Sequence, residues 1–208
     1  MALRLSDLLP DVPVVTGLVI GDGGREFFAA FSRARAARGA EPPDPLDRHT
    51  ATVVPAALRA VLGAQPPLAV RYPFDGADPV LPMQAIGQAA GLPAPGPLGV
   101  QIHPQFGPWW AYRALALLPF ALADLPGLPD ACAGCPAPCQ SACPGRAVLP
   151  SGFAIVSCAQ HRLQDPGCQL ACVARRACIV APEQSYSDEQ LAFHMAASLA
   201  SVRRYFSG

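Results

Sequence analysis

Apolar and β-branched residues dominate positions 14–20 and give way to Gly21-Asp22-Gly23-Gly24, four residues with turn chemistry. Beyond them Phe27, Phe28, Phe31 and Ala34 recur at helical spacing within 25–38, so the opening reads strand, turn, helix. A loop through Glu41-Pro42-Pro43-Asp44-Pro45 leads to a helical pattern over 46–62, where Pro55 is expected to start or kink a helix. Residues 68–72 form a short strand pattern, and 83–90 a helix stopped at Gly91 with Pro93 close behind. Bulky residues on both sides of Pro104-Gln105-Phe106-Gly107-Pro108 predict an antiparallel hairpin of strands 98–103 and 109–120. At the far end Ser187-Asp188-Glu189-Gln190 is a capping box before Leu191, Met195, Leu199 and Val202, which predicts a helix over 188–205 with one apolar stripe.

The elements add up to an α+β protein with a small sheet. Residues 1–131 contain no cysteine, whereas all eight lie between Cys132 and Cys178. The Pro and Gly punctuation of Leu125-Pro126-Gly127-Leu128-Pro129-Asp130 falls just before that change and marks a joint. We therefore read three parts: an α+β module over 1–128, a cysteine module over 129–182 and a closing helix over 183–208.

Composition narrows the classes of function. Charged residues make up 14% of the 208 and hydrophobic ones 51%, the opposite of a disordered, self-repelling chain. All fifteen basic residues are arginine and balance fifteen acids to zero, which removes the bulk electrostatic case for nucleic acid or an anionic membrane as partner. No apolar run approaches the about 18 residues of a transmembrane helix. Asp7, Pro10, Asp11 and Pro13 interrupt the N-terminal apolar residues, so no secretory signal is expected and the cytoplasm is the expected compartment. Zero net charge with positive mean hydropathy leaves both a packed monomer and a homodimer open.

The cysteines carry the chemistry. The first group is Cys132-x2-Cys135-x3-Cys139-x3-Cys143-Pro144; the second is Cys158, then Cys168-x3-Cys172-x5-Cys178. Iron clusters need several thiolates delivered to one compact centre by a tight loop, which three cysteines at gaps of two and three supply. Four disulfides would use the same residues but need an oxidising compartment. Two structural zinc sites would also use them, although zinc knuckles usually come as separated C-x2-C pairs.

The first group is similar to the C-x2-C-x2-C-x3-C-P run of bacterial two-cluster ferredoxins, with one residue inserted near Pro136, and in that run the last cysteine serves the other cluster. The resemblance implies that Cys132, Cys135 and Cys139 hold one [4Fe-4S] cluster with Cys178, while Cys143 joins Cys158, Cys168 and Cys172 around a second. The cysteine segment also resembles the cluster-bearing half of epoxyqueuosine reductases and reductive dehalogenases. The run from Gly99 through His103-Pro104-Gln105-Phe106-Gly107-Pro108-Trp109-Trp110 to Pro119, and Pro182-Glu183-Gln184-Ser185-Tyr186-Ser187, look closer still to the cobalamin-processing proteins that decyanate the vitamin. With Asp44-Pro45-Leu46-Asp47-Arg48, Tyr72-Pro73-Phe74 and Phe193-His194-Met195 added, the pattern resembles short bacterial ferredoxin-like proteins over roughly residues 44–200. It implies a sheet related to the flavin-reductase and nitroreductase fold, and a cobalamin or flavin held beside His103, Phe106 and Trp109.

Other residues carry weaker signals. Asp75 stands where epoxyqueuosine reductases carry an acid that protonates substrate, yet an aspartate before glycine is also ordinary turn chemistry. Trp109, Trp110 and Tyr112 suit either a flat cofactor or a core. Arg175 and Arg176, between Cys172 and Cys178, would offset the negative charge of thiolate-bound clusters. His194 lies beside the apolar stripe of the last helix, while His49 and His161 have no spacing argument. The expected function is electron transfer through two [4Fe-4S] clusters to a redox partner protein. The alternatives are a corrinoid- or flavin-dependent reductase fed by the clusters, and a zinc-bound interaction module.

Overall fold

The computed structural model describes residues 13–37, 43–76, 80–123 and 125–206. The N-terminal segment and most of the loop before Pro45 lie outside them. The fold is mixed α+β and divides into two compact units, each built from separated stretches of chain.

The first unit comprises the described residues up to Asp22, Glu26–Leu92 and Ala111–Gly127. Its sheet has strand order β1-β3-β2, from β1 (Thr16–Gly23), β2 (Ala69–Arg71) and β3 (Trp110–Leu118). β2 runs antiparallel to β3 with Ala69 opposite Leu117 and Arg71 opposite Leu115. β3 is central, and Ala114 to Leu118 are wholly buried, because helices cover both faces. Its period-2 alternation sorts the core. Leu115 and Leu117 pack with Leu81, and with Met83 and Ile86 of α3 (Met83–Ala89), whereas Ala114, Ala116 and Leu118 meet Val54 and Leu58 of α2 (Pro45–Leu62).

Helix α1 (Glu26–Ala36) docks on α2 through aromatic rings, with His49 buried at 5.4 Å from Phe27 and 5.7 Å from Phe31. Pro55, expected to start or kink a helix, lies inside the continuous α2 and starts none. An interior proline costs roughly 3 kcal/mol, but burying side chains such as Val54 and Leu58 contributes about 1.5–3 kcal/mol each. The carbonyl of Ala51 that loses its donor belongs to an exposed residue and can bond to water.

The second unit comprises Gly23–Arg25, Pro93–Trp110 and the chain from Leu128. Two expectations are corrected here. The segment before Pro104, expected to join the sheet module, belongs with the cysteines, and it forms no strand: the hairpin is reduced to an isolated bridge between His103 and Gly107. Both edges of β3 are already taken by β1 and β2, and Gly96 and Gly99 curl the 96–100 stretch into turns closed by Gly96 N–H to Val100 C=O at 2.9 Å. The last helix is likewise part of this unit rather than a separate closing element.

The unit is otherwise made of short pieces: α4 (Pro138–Ser141), a ribbon of β4 (Val148–Leu149) and β5 (Gly152–Phe153), α5 (Ile155–Gln164), α6 (Pro166–Leu170), α7 (Val173–Arg176) and the long α8 (Asp188–Phe206). One core joins Cys139, Val148 and Ala174 with Leu98 and Phe153; another joins Trp109, Tyr186 and Leu191. Buried Arg162 ties three helices together, donating to Cys168 C=O at 3.2 Å, Ser198 Oγ at 2.9 Å and Met195 C=O at 3.3 Å. No helix among the described residues is long and apolar enough to cross a membrane.

Candidate metal centre

All eight cysteines are free thiols. Folding sorts them into two groups of four that cross their order in the chain. Cys132 feels the charge of Cys178, Cys135 and Cys139, and Cys139 that of Cys178 and Cys135. Cys168 feels Cys172, Cys143 and Cys158, and Cys158 feels Cys172 and Cys143. The second group lines a cavity of about 40 Å³ together with Pro144, Phe153, His161 and Arg162. That exceeds the roughly 10–15 Å³ that one water needs, so the thiols surround a space rather than one another.

Loop chemistry sets these positions. An aspartate precedes one cysteine of each group and accepts its amide: Asp130 Oδ1 from Cys132 N–H at 2.9 Å, and Asp165 Oδ1 from Cys168 N–H at 3.0 Å. Backbone amides also point at sulfur, with Ala137 N–H on Cys135, Ala147 N–H on Cys143 and Arg175 N–H on Cys172, each at 3.4 Å. Reaching that geometry needs left-handed backbone at Ala137, Arg146 and Ala181, with φ of 52°, 50° and 49°. Such residues cost on the order of 1–3 kcal/mol each and persist where surroundings enforce them.

Electrostatics among these groups opposes thiolates. Burial, then Asp130, then the neighbouring sulfurs push Cys132 up to about 11. Burial, then Asp165, then the sulfurs around it push Cys168 up to about 11 as well. Burial likewise raises Cys139, Cys158 and Cys178. Each group has one arginine that works the other way: Arg175 lowers Cys178, and Arg162 lowers Cys158. Arg175 donates to Pro108 C=O and lies over the rings of Trp109 at 4.8 Å and Tyr186 at 4.9 Å, which fixes its position. Arg176, expected to share that role, instead pairs with Asp188 on the surface.

Arg162, Asp130 and Asp165 were missed in the sequence. A signal existed for Arg162, which lies four residues after Cys158 and therefore on the same face of α5. His161, Asp165 and Cys168 form a further cluster, their donor atoms within 4.8 Å of one another, with His161 Nε2 at 3.2 Å from Asp165 Oδ2.

The residues assigned to a planar cofactor are placed differently. Trp109 is fully buried, with Arg175 and Tyr186 on its ring, and offers no open face. Phe106 packs on the backbone of Gly23, where any Cβ would overlap its ring. His103 is half-buried at 4.9 Å from the Phe106 ring; its Nδ1 accepts from Gln105 N–H at 3.1 Å, and burial lowers its pKa. Asp75 accepts from Arg71 Nε at 2.8 Å and from Tyr72 N–H at 3.2 Å, so its carboxylate is engaged in its own turn. The His194 ring packs at 5.5 Å from Tyr186. Comparison with known protein families, with characterised proteins and with solved structures gives no match.

Proposed function

We propose that the second unit holds two [4Fe-4S] clusters, one on Cys132, Cys135, Cys139 and Cys178 and the other on Cys143, Cys158, Cys168 and Cys172, and that the protein transfers electrons. The observation that carries this reading is the crossed grouping of the thiols into two sets of four. The donor sets suit the clusters in kind as well as number. All eight ligands are soft thiols, amides are directed at the sulfurs, and one buried or half-buried arginine offsets the negative charge of each set.

When bound, the clusters supply one-electron carriage at two neighbouring centres. The chain's own part is to keep them close and dry. Cys139 lies within the four-residue helix α4 and Cys143 two residues beyond its end, so one short turn hands a ligand to each set. Val148, Phe153 and Ala174 pack with Cys139 and Cys143 and give both sets an apolar wall. The acceptor is a redox partner protein or a corrinoid or flavin. His103, half-buried beside Phe106, is the residue of the 103–109 turn we propose as a contact for such a group.

Zinc is the second reading, favoured by the His161, Asp165 and Cys168 cluster, which has mixed donors of the kind zinc accepts. That site would use one cysteine and leave seven thiols without a role. Anaerobic purification followed by iron, zinc and sulfide analysis decides between them. About eight irons and eight sulfides per chain, with a brown colour bleached by dithionite, support the clusters. Colourless protein with stoichiometric zinc overturns them.

A further inference from the structure

We propose that the first unit binds a small neutral apolar molecule, a hydrocarbon chain or an aromatic ring without charged substituents, in a cavity between β1 and α2. The cavity has a volume of about 320 Å³, and its walls include Leu18 and Ile20 of β1, Phe27 of α1, and Val54 and Leu58 of α2. Small-molecule sites are mostly apolar clefts of roughly 300–1,000 Å³, and an apolar cavity of about 150 Å³ already holds benzene. Neither the thiol groups nor the 103–109 turn takes part in it, so this inference is independent of the cluster reading.

The apolar stripe of α2 is wider than the sheet covers. Val54 and Leu58 pack on Ala114, Ala116 and Leu118 of β3. A second row, Val53, Ala57 and Val61, recurs at four-residue spacing on the same helix and lines the cavity instead. Ala57 is exposed and Val61 is 80% exposed, so the cavity opens to solvent along this row. The small side chain of Ala57, in the middle of the row, leaves space that a bulkier one would fill. The chemistry of the wall selects the ligand. Its two charged residues are already paired with each other: Arg113 Nε donates to Asp22 Oδ1, and the guanidinium lies 4.6 Å from the centre of the Phe27 ring. Asp22 Oδ2 is buried and offers a ligand no surface. An ionic ligand would leave water for a wall with no unpaired charge to receive it, which is costly. A neutral apolar ligand has no such cost, and it displaces water that finds few polar partners there.

The test titrates toluene, benzylamine and benzoate, one ring with three different substituents, into the full-length anaerobic protein at constant ionic strength and follows binding by calorimetry. Toluene should bind below millimolar concentration and roughly tenfold or more tightly than either ion. Ala57→Phe, at an exposed position of α2 that lines the cavity, should fill the space and abolish toluene binding. Because that variant adds apolar surface, adsorption to the protein exterior would survive it. If Ala57→Phe does not fold, Ala57→Asp replaces it: a carboxylate in the middle of the row should weaken toluene roughly tenfold. The titration is repeated at a higher protein concentration, where a second copy of the chain seated in the cavity would compete with toluene. The proposal is overturned if toluene does not bind at millimolar concentration, if either ion matches it, if the folded variant binds it as tightly as the unaltered protein, or if its affinity falls as the protein is concentrated.

Discussion

Two ways of dividing eight cysteines make opposite predictions for double variants. The structure groups Cys178 with Cys132, Cys135 and Cys139, whereas pairing in chain order would group Cys143 with them. Alanine at Cys132 leaves one set of four intact, so bound iron should fall from about eight to about four per chain. Adding Cys178→Ala to that variant removes a second ligand from the same set and should cost no further iron. Adding Cys143→Ala instead removes a ligand from the surviving set and should bring iron close to zero. The loss is therefore non-additive in one pair and additive in the other, as expected for groups that act as a unit. Alanine is chosen because serine can itself ligate iron. Iron and sulfide analysis of anaerobically purified protein, with electron paramagnetic resonance after dithionite, gives the readout. If Cys132→Ala with Cys178→Ala loses all iron while Cys132→Ala with Cys143→Ala keeps half, the crossed grouping is refuted.

Three further outcomes follow from particular contacts. Gly107 has φ +57°, and a Cβ there would overlap the Val180 carbonyl, whose residue directs its amide at Cys178. Gly107→Ala should thus selectively loosen the set containing Cys178, seen as faster loss of about half the iron to a chelator; an unchanged rate contradicts this. Leu117→Ala, at a wholly buried position of β3 against Leu81, Met83 and Ile86, should cost about 2–5 kcal/mol in denaturant unfolding, and a loss under about 1 kcal/mol would show that the site collapses freely. Because Cys132 and Cys168 are pushed up to about 11, they are protonated near neutrality and a metal must displace those protons. Loading should therefore strengthen as pH rises and release the protons held by Cys132 and Cys168, measured with an indicator in weak buffer; loading without proton release would mean these thiols ionise beforehand.

Much of the local architecture is legible in the chain itself. Helical periodicity predicts α1, α2, α3 and α8 to within a few residues, because one apolar stripe at 3.6-residue spacing has few other ways to be buried. The eight cysteines stand out as candidate ligands for the same reason of type and spacing. What the sequence by itself could not determine is whatever depends on competition for a shared partner. The stretch before His103 has strand-forming residues, but β3 has only two edges, and β1 and β2 occupy them. Pro55 is a helix breaker by local rules, yet burial of Val54 and Leu58 against β3 carries α2 through it. Trp109 reads equally as a stacking surface or as core until Arg175, Tyr186 and Leu191 close around it from segments more than sixty residues away. The placement of Arg162 and Arg175 beside the thiols is tertiary for the same reason. A charge acts through distance in space, and only the folded chain brings Arg162 of α5 to the space shared by Cys143, Cys158, Cys168 and Cys172.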